Sequence, residues 1–163
     1  MEIEAKPTEY NGVIFRSKLE ATWARFFDVI EVRWEYEPCR LPGWVPDFLL
    51  DGWWLAEVKP IPVMWGDVPS HPPFAKAIRD FDTVLLGDGP GDAMGLVVRR
   101  LASGKVFTRR LCVDLNRKDT ELRPTNEWKP EYFGPLMALW AGVVQSATPW
   151  EKVSNRLAAK GLA

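Results

Sequence analysis

Along Ser17 to Ile30 the apolar side chains fall at Leu19, Trp23, Phe26, Phe27 and Ile30, a spacing that lines one face of an α-helix. The period then changes. From Val32 to Glu37, Val32, Trp34 and Tyr36 alternate with Arg33, Glu35 and Glu37, as in a half-buried strand that Pro38 ends. Trp44–Leu50 and Trp53–Lys59 predict two further strands, joined at Asp51-Gly52, a two-residue hairpin signal. Pro60, Pro62, Pro69, Pro72 and Pro73 predict a loop, followed by a short helix over Phe74–Phe81 and a buried strand over Thr83–Leu86. After a Gly- and Asp-rich turn at Gly87–Gly95, Leu96–Arg100 and Val106–Val113 read as a hairpin around Ser103-Gly104. Glu131–Ser146 and Pro149–Lys160 predict two closing helices, with Thr148 as N-cap of the second. The fold class expected is α/β.

At 163 residues the chain fits one domain over 1–163. Nine Trp and eight Phe supply more aromatic surface than a core of this size needs, so some rings are expected to meet something else. A net charge of −1 gives no whole-chain signal for polyanion binding; any nucleic-acid surface has to be local. Cys39 and Cys112 cannot furnish a four-thiolate metal site within one chain and are expected as reduced thiols. Met1–Thr8 has no basic segment followed by an apolar run, and no apolar stretch approaches the roughly 20 residues a bilayer requires. A cytoplasmic location without membrane insertion is the expectation. The single histidine, His71, excludes a multi-histidine zinc centre, and neither a Gly-x-Ser-x-Gly elbow nor a P-loop is present.

Candidate chemistry concentrates in Val45-Pro46-Asp47-Phe48 and Ala56-Glu57-Val58-Lys59. The hairpin brings these segments together, and strand alternation points Glu57 and Lys59 to one side with Val58 to the other. Two carboxylates, a main-chain carbonyl and water suit a hard divalent cation. The same Glu57–Lys59 pair also fits an ordinary solvent-facing ion pair. What favours a site is the abrupt appearance of charge inside the apolar Trp53–Ile61 run.

Tyr10-Asn11-Gly12, Phe15-Arg16-Ser17, Leu19-Glu20-Ala21, Trp34-Glu35-Tyr36-Glu37-Pro38, Pro46-Asp47-Phe48 and Glu57-Val58-Lys59-Pro60 together resemble the restriction-endonuclease-like PD-(D/E)XK nuclease superfamily. They are similar to its short phage-type members and to the nuclease domain of the TnsA transposition endonuclease. The resemblance covers about residues 10–87 in the order α-β-β-β-α-β. It implies a restriction-endonuclease-like core with a mixed central sheet, extended over about 96–163 by a C-terminal hairpin and two helices. It further implies that Asp47, Glu57 and the Val58 carbonyl bind Mg2+, with Mn2+ able to substitute. Lys59 would position the water, and Glu20 would contact metal directly or through water. The implied reaction is hydrolysis of DNA phosphodiesters by an endonuclease, leaving a 5′-phosphate and a 3′-hydroxyl; a phage origin would place it in host cytoplasm. Ser17-Lys18-Leu19-Glu20 equally fits a capping box.

Arg16 is a candidate phosphate contact. Arg99, Arg100, Lys105, Arg109 and Arg110 belong to the most basic stretch, Arg99–Arg123, which suits either a phosphate track or a solvated edge hairpin. Trp65 and Phe74, beside the site, suit base stacking or core packing. DNA is the expected partner, with a homodimer through Leu136–Val144 or a partner protein of a DNA-processing complex as further expectations. Two other readings stay open: a structure-selective junction or flap nuclease, and a nuclease-fold module that binds DNA or protein without cutting.

Overall fold

The computed structural model describes residues 5–63, 72–90, 93–114, 119–126 and 133–146. Trp65, His71, Arg117, Lys118 and the helix expected over Pro149–Lys160 lie outside them. Near the start, β1 (Thr8–Tyr10) and β2 (Val13–Phe15) pair antiparallel through Asn11-Gly12. Both turn residues have positive φ, 49° and 78°, as a type I′ hairpin requires. Ser17 then caps α1 (Lys18–Val29): its backbone is extended and its hydroxyl accepts the Glu20 N–H at 3.2 Å, satisfying one of the donors a helix start leaves open.

The main sheet has seven strands whose spatial order follows the chain: β3 (Trp34–Tyr36), β4 (Phe48–Leu50), β5 (Trp54–Val58), β6 (Thr83–Leu86), β7 (Gly95–Arg100), β8 (Val106–Asp114) and β9 (Asp119–Thr125). Neighbours are antiparallel except β5 and β6, which run parallel. A parallel pair needs a crossover, and the chain between them carries the short helix α2 (Pro72–Ala75). α3 (Phe133–Ser146) packs against α1. The fold is therefore α/β with a mixed sheet. Among the described residues no helix is long and apolar enough to cross a membrane.

Strand alternation divides the core between the two faces of the sheet. Ala56, Val58, Val84, Leu86, Val97 and Leu111 pack with Trp23, Phe26 and Phe27 of α1. On the other face Leu85, Leu96 and Val98 meet Trp44, Val63, Phe74 and Ile78; Phe74 is thus a core residue, fully buried. Trp23 also satisfies its polar tip, its indole N–H donating to the Gly87 carbonyl at 2.8 Å.

Several predicted elements are shorter than their hydrophobic pattern. The strand expected from Trp44 begins only at Phe48, because Leu41 and Trp44 close a tight turn by exchanging two main-chain hydrogen bonds. The helix expected over Phe74–Phe81 is confined to Pro72–Ala75. β1, β2 and β9 were not foreseen.

Candidate active site

The β4–β5 hairpin turns at Asp51-Gly52, with φ of 52° and 74°, so its two open ends lie side by side. Phe48 and Ala56 are the last registered pair. Asp47 and Glu57 each stand one residue beyond it. The Asp47 N–H donates to the Ala56 carbonyl at 2.9 Å, and its Oδ2 accepts the Val58 N–H at 2.8 Å. The aspartate thus grips the peptides on both sides of Glu57. Glu57 Oε1 takes the Lys59 ammonium at 2.9 Å, which places these two side chains on one side of the strand, while Val58 packs into the opposite core.

The N-terminal turn of α1 supplies the third acid. Glu20 Oε2 accepts the Tyr36 hydroxyl at 2.5 Å, and the Tyr36 oxygen in turn accepts the Arg16 main-chain N–H at 3.0 Å. Half of the capping box therefore forms, through the Ser17 hydroxyl, while the Glu20 carboxylate engages β3. Arg16 closes the arrangement from above: its Nη2 lies 2.6 Å from Asp47 Oδ1 and its Nε 2.8 Å from Glu37 Oε1.

Burial makes this cluster electrostatically tense. Glu20, Asp47 and Glu57 are only 8, 2 and 8% exposed, and for Asp47 burial near the other two acids opposes ionisation. Desolvation first, then repulsion from Glu57, pushes the Asp47 carboxyl up to about 7, although the Val58 N–H and Arg16 pull the other way. Burial and the hydrogen bond to Glu20 push the Tyr36 phenol up to about 12, so it remains a donor at neutral pH.

The types of donor fit a hard divalent cation: carboxylate oxygens backed by the Val58 carbonyl, with excess negative charge in the site. They are not grouped for it in this arrangement. Among the described residues no three His, Cys, Asp or Glu side chains come together closely enough to hold a metal ion. The carboxylate oxygens are instead engaged by Arg16, Lys59, Tyr36, Trp44 and the Val58 amide.

Sequence reasoning missed four participants. The Trp44 indole N–H donates to Glu57 Oε2 at 2.7 Å, and the Arg79 guanidinium lies 5.3 Å from the Trp44 ring centroid while bonding the Pro42 carbonyl. Tyr36 holds Glu20, and Glu37 holds Arg16. The alternation Trp34-Glu35-Tyr36-Glu37 carried a signal for Tyr36, a polar-tipped ring on an inward position; Trp44 gave none, because its contact with Glu57 is made 13 residues along the chain.

The basic hairpin is divided. Arg109 Nη2 lies 3.2 Å from Asp82 Oδ2, and Arg99 Nε lies 3.6 Å from Asp82 Oδ1, an ion pair too long for a hydrogen bond. Arg109 is registered opposite Val97, which packs on the α1 side, whereas Arg110 is registered opposite Leu96, on the Glu57 side. Arg100 and Lys105 are exposed. Neither cysteine is in a disulfide; Cys39 is exposed and Cys112 half-buried. No family model, curated protein or solved structure matches this chain.

Proposed function

We propose that this chain is a magnesium-dependent endonuclease with a restriction-endonuclease-like core, hydrolysing DNA phosphodiester bonds. One observation carries the reading: Asp47, Glu57 and Lys59 converge at the open end of one hairpin, with Glu20 delivered beside them from α1 and all three acids nearly buried. Buried acids without enough cations to neutralise them are costly, and they persist where a ligand needs them. The succession of α1, antiparallel β3–β4–β5, the short α2 and a β6 parallel to β5 supports the core.

In this reading Asp47, Glu57, the Val58 carbonyl and Glu20 hold Mg2+ or Mn2+. Bound there, the ion supplies a Lewis acid for the phosphate and lowers the pKa of an attacking water. Lys59, oriented by Glu57, directs the water and keeps positive charge beside the phosphate oxygens as they gain charge. Tyr36 and Trp44 fix the carboxylates of Glu20 and Glu57, so each needs little reorganisation on substrate binding. Arg100, exposed on the Glu57 face of the sheet, is the better candidate for a phosphate contact; Arg99 and Arg109 are engaged by Asp82 on the other.

The ungrouped carboxylates favour one competing reading, a nuclease-fold module that binds DNA or a partner protein without cutting. Incubating the protein with supercoiled, linear and single-stranded DNA in Mg2+, Mn2+ or EDTA separates the two. Metal-dependent cutting of any substrate supports the enzyme and identifies its substrate form; binding without cutting under every condition supports the module.

A further inference from the structure

β3 closes one side of the seven-stranded sheet, and no strand among the described residues pairs with its outer edge. The Arg33 carbonyl accepts the Asp51 N–H at 2.9 Å, and the Glu37 N–H donates to the Asp47 carbonyl at 2.8 Å, so both residues turn their main chain toward β4. Alternation gives Glu35, registered opposite Leu49, the same direction. Trp34 and Tyr36 therefore turn their N–H and C=O groups outward. Beside them runs a solvent-open groove of about 810 Å³, walled by Val13 of β2, by Asp28, Glu31 and Val32 around the end of α1, and by Trp34 and Tyr36 themselves. The acids Asp28, Glu31 and Glu35 outnumber Arg33 along it. Asp28 is fixed in the wall, its Oδ2 accepting the Tyr10 hydroxyl at 2.5 Å and its Oδ1 the Trp34 indole N–H at 2.8 Å.

We propose that the outer edge of β3 docks an extended basic segment of a partner protein, added antiparallel as an eighth strand with an apolar, a basic and an apolar residue opposite Tyr36, Glu35 and Trp34. The outward main-chain groups supply the hydrogen bonds of such strand addition, and side-chain complementarity supplies the selection. Side chains directly opposite one another in an antiparallel pair point to the same face. The two apolar residues therefore enter the groove beside Val13 and Val32, while the basic residue between them stands across from Glu35. Charge also separates the possible occupants. The acids repel a phosphate backbone. A second copy using both outward residues would set Glu35 opposite its own counterpart and bring two sets of Asp28 and Glu31 together, an arrangement that like charges disfavour. Charges on an exposed edge ordinarily guard it against indiscriminate pairing; acids do so while leaving it open to a basic strand. The docking depends on main chain and charge alone, and stands whether or not the chain cuts DNA.

The test uses the full-length protein with 15N-labelled amides and a short capped peptide of alternating valine and lysine. The peptide is expected to move the Trp34 and Tyr36 amide signals and to slow their hydrogen exchange at least about tenfold, leaving the Glu35 amide, already turned to β4, little changed. A peptide with glutamate in place of lysine, and one with N-methylated valines that cannot donate to the edge, are each expected to bind at least about tenfold more weakly. Replacing both exposed acids, Glu31→Lys with Glu35→Lys, is expected to leave the thermal melt unchanged and to reverse the preference between the lysine and glutamate peptides. Trp34 and Tyr36 signals that stay still up to about 1 mM peptide, or equal affinity for the two charge types, would overturn the proposal. So would Trp34 and Tyr36 amides that exchange as slowly as Glu35 in the free chain, which would mean an edge already covered. Shifts at these amides on raising protein concentration alone would assign the edge to a second copy, and shifts with a short DNA duplex would assign it to nucleic acid; either result overturns it as well.

Discussion

Replacing Asp47 by Asn is expected to make the protein more stable and catalytically dead. Asp47 is 2% exposed and held among other acids, so ionising it in the folded chain is harder than in the unfolded one. Its carboxyl is raised from 3.8 to about 7. Each unit corresponds to about 1.4 kcal/mol, which sets a ceiling of about 4 kcal/mol on the cost of carrying the charge above that pH. Asn removes the charge but weakens the contact with Arg16, leaving an expected net gain of about 1–2 kcal/mol at pH 8. For a chain of this size that is a rise in Tm of about 3–6 °C. Because the folded-state pKa is the higher one, the folded chain holds the proton more tightly. That contribution to wild-type stability is fully present below pH 4 and is lost as the pH rises through about 7. The advantage of Asp47→Asn is therefore expected to vanish at about pH 6 and to reverse below it. Thermal melts of both proteins between pH 5 and 8.5, with and without Mg2+, test this; Mg2+ is expected to raise the wild-type Tm and leave the variant unmoved. A variant less stable than wild type at pH 8, or a difference independent of pH, would refute the electrostatic reasoning.

Three further outcomes follow from particular contacts. Tyr36→Phe removes the donor to Glu20 while keeping the ring packed 4.5 Å from Phe15; single-turnover cleavage is expected to slow about tenfold with a stability loss of about 1 kcal/mol by urea unfolding. Gly87→Ala would set a Cβ 2.7 Å from Val63 Cγ2 and against the Ile61 carbonyl at the end of β6, for an expected loss of about 1–3 kcal/mol in the same assay. Arg100→Ala is expected to lower the slope of log affinity against log salt by about 1 in DNA-binding titrations, because that side chain is exposed on the Glu57 face, and Arg109→Ala to leave it unchanged because Asp82 already engages that guanidinium.

How much of this was legible in the sequence depended on how local each signal is. The first helix and the β4–β5 hairpin declared themselves, because the apolar repeat of Leu19–Ile30 and the Asp51-Gly52 turn are decided by neighbours in the chain. Asp47, Glu57 and Lys59 were legible for the same reason: one tight hairpin carries all three. β1 and β2, three residues each, are too short for a repeat to emerge, although Asn11-Gly12 marks their turn. β9 reads as loop because of Pro124 and its charges, and becomes a strand only by pairing with β8. Trp44 and Arg79 reach the site from separate segments, so their roles depend on tertiary packing that no local pattern records, whereas the strand alternation around Tyr36 at least marked its ring as inward-facing. The split of the basic hairpin into two faces depended on register: Arg109 and Arg110 are adjacent in sequence and opposed in space.

The most direct test of the central claim is single-turnover cleavage of plasmid DNA in Mg2+ by wild type, Asp47→Ala and Lys59→Ala, with folding checked by circular dichroism and with EDTA as control. Metal-dependent cutting by wild type, and a loss of at least about 100-fold in both folded variants, is the predicted result. Cutting that persists in either folded variant, or no cutting by wild type in any divalent cation, would contradict the assignment of this site.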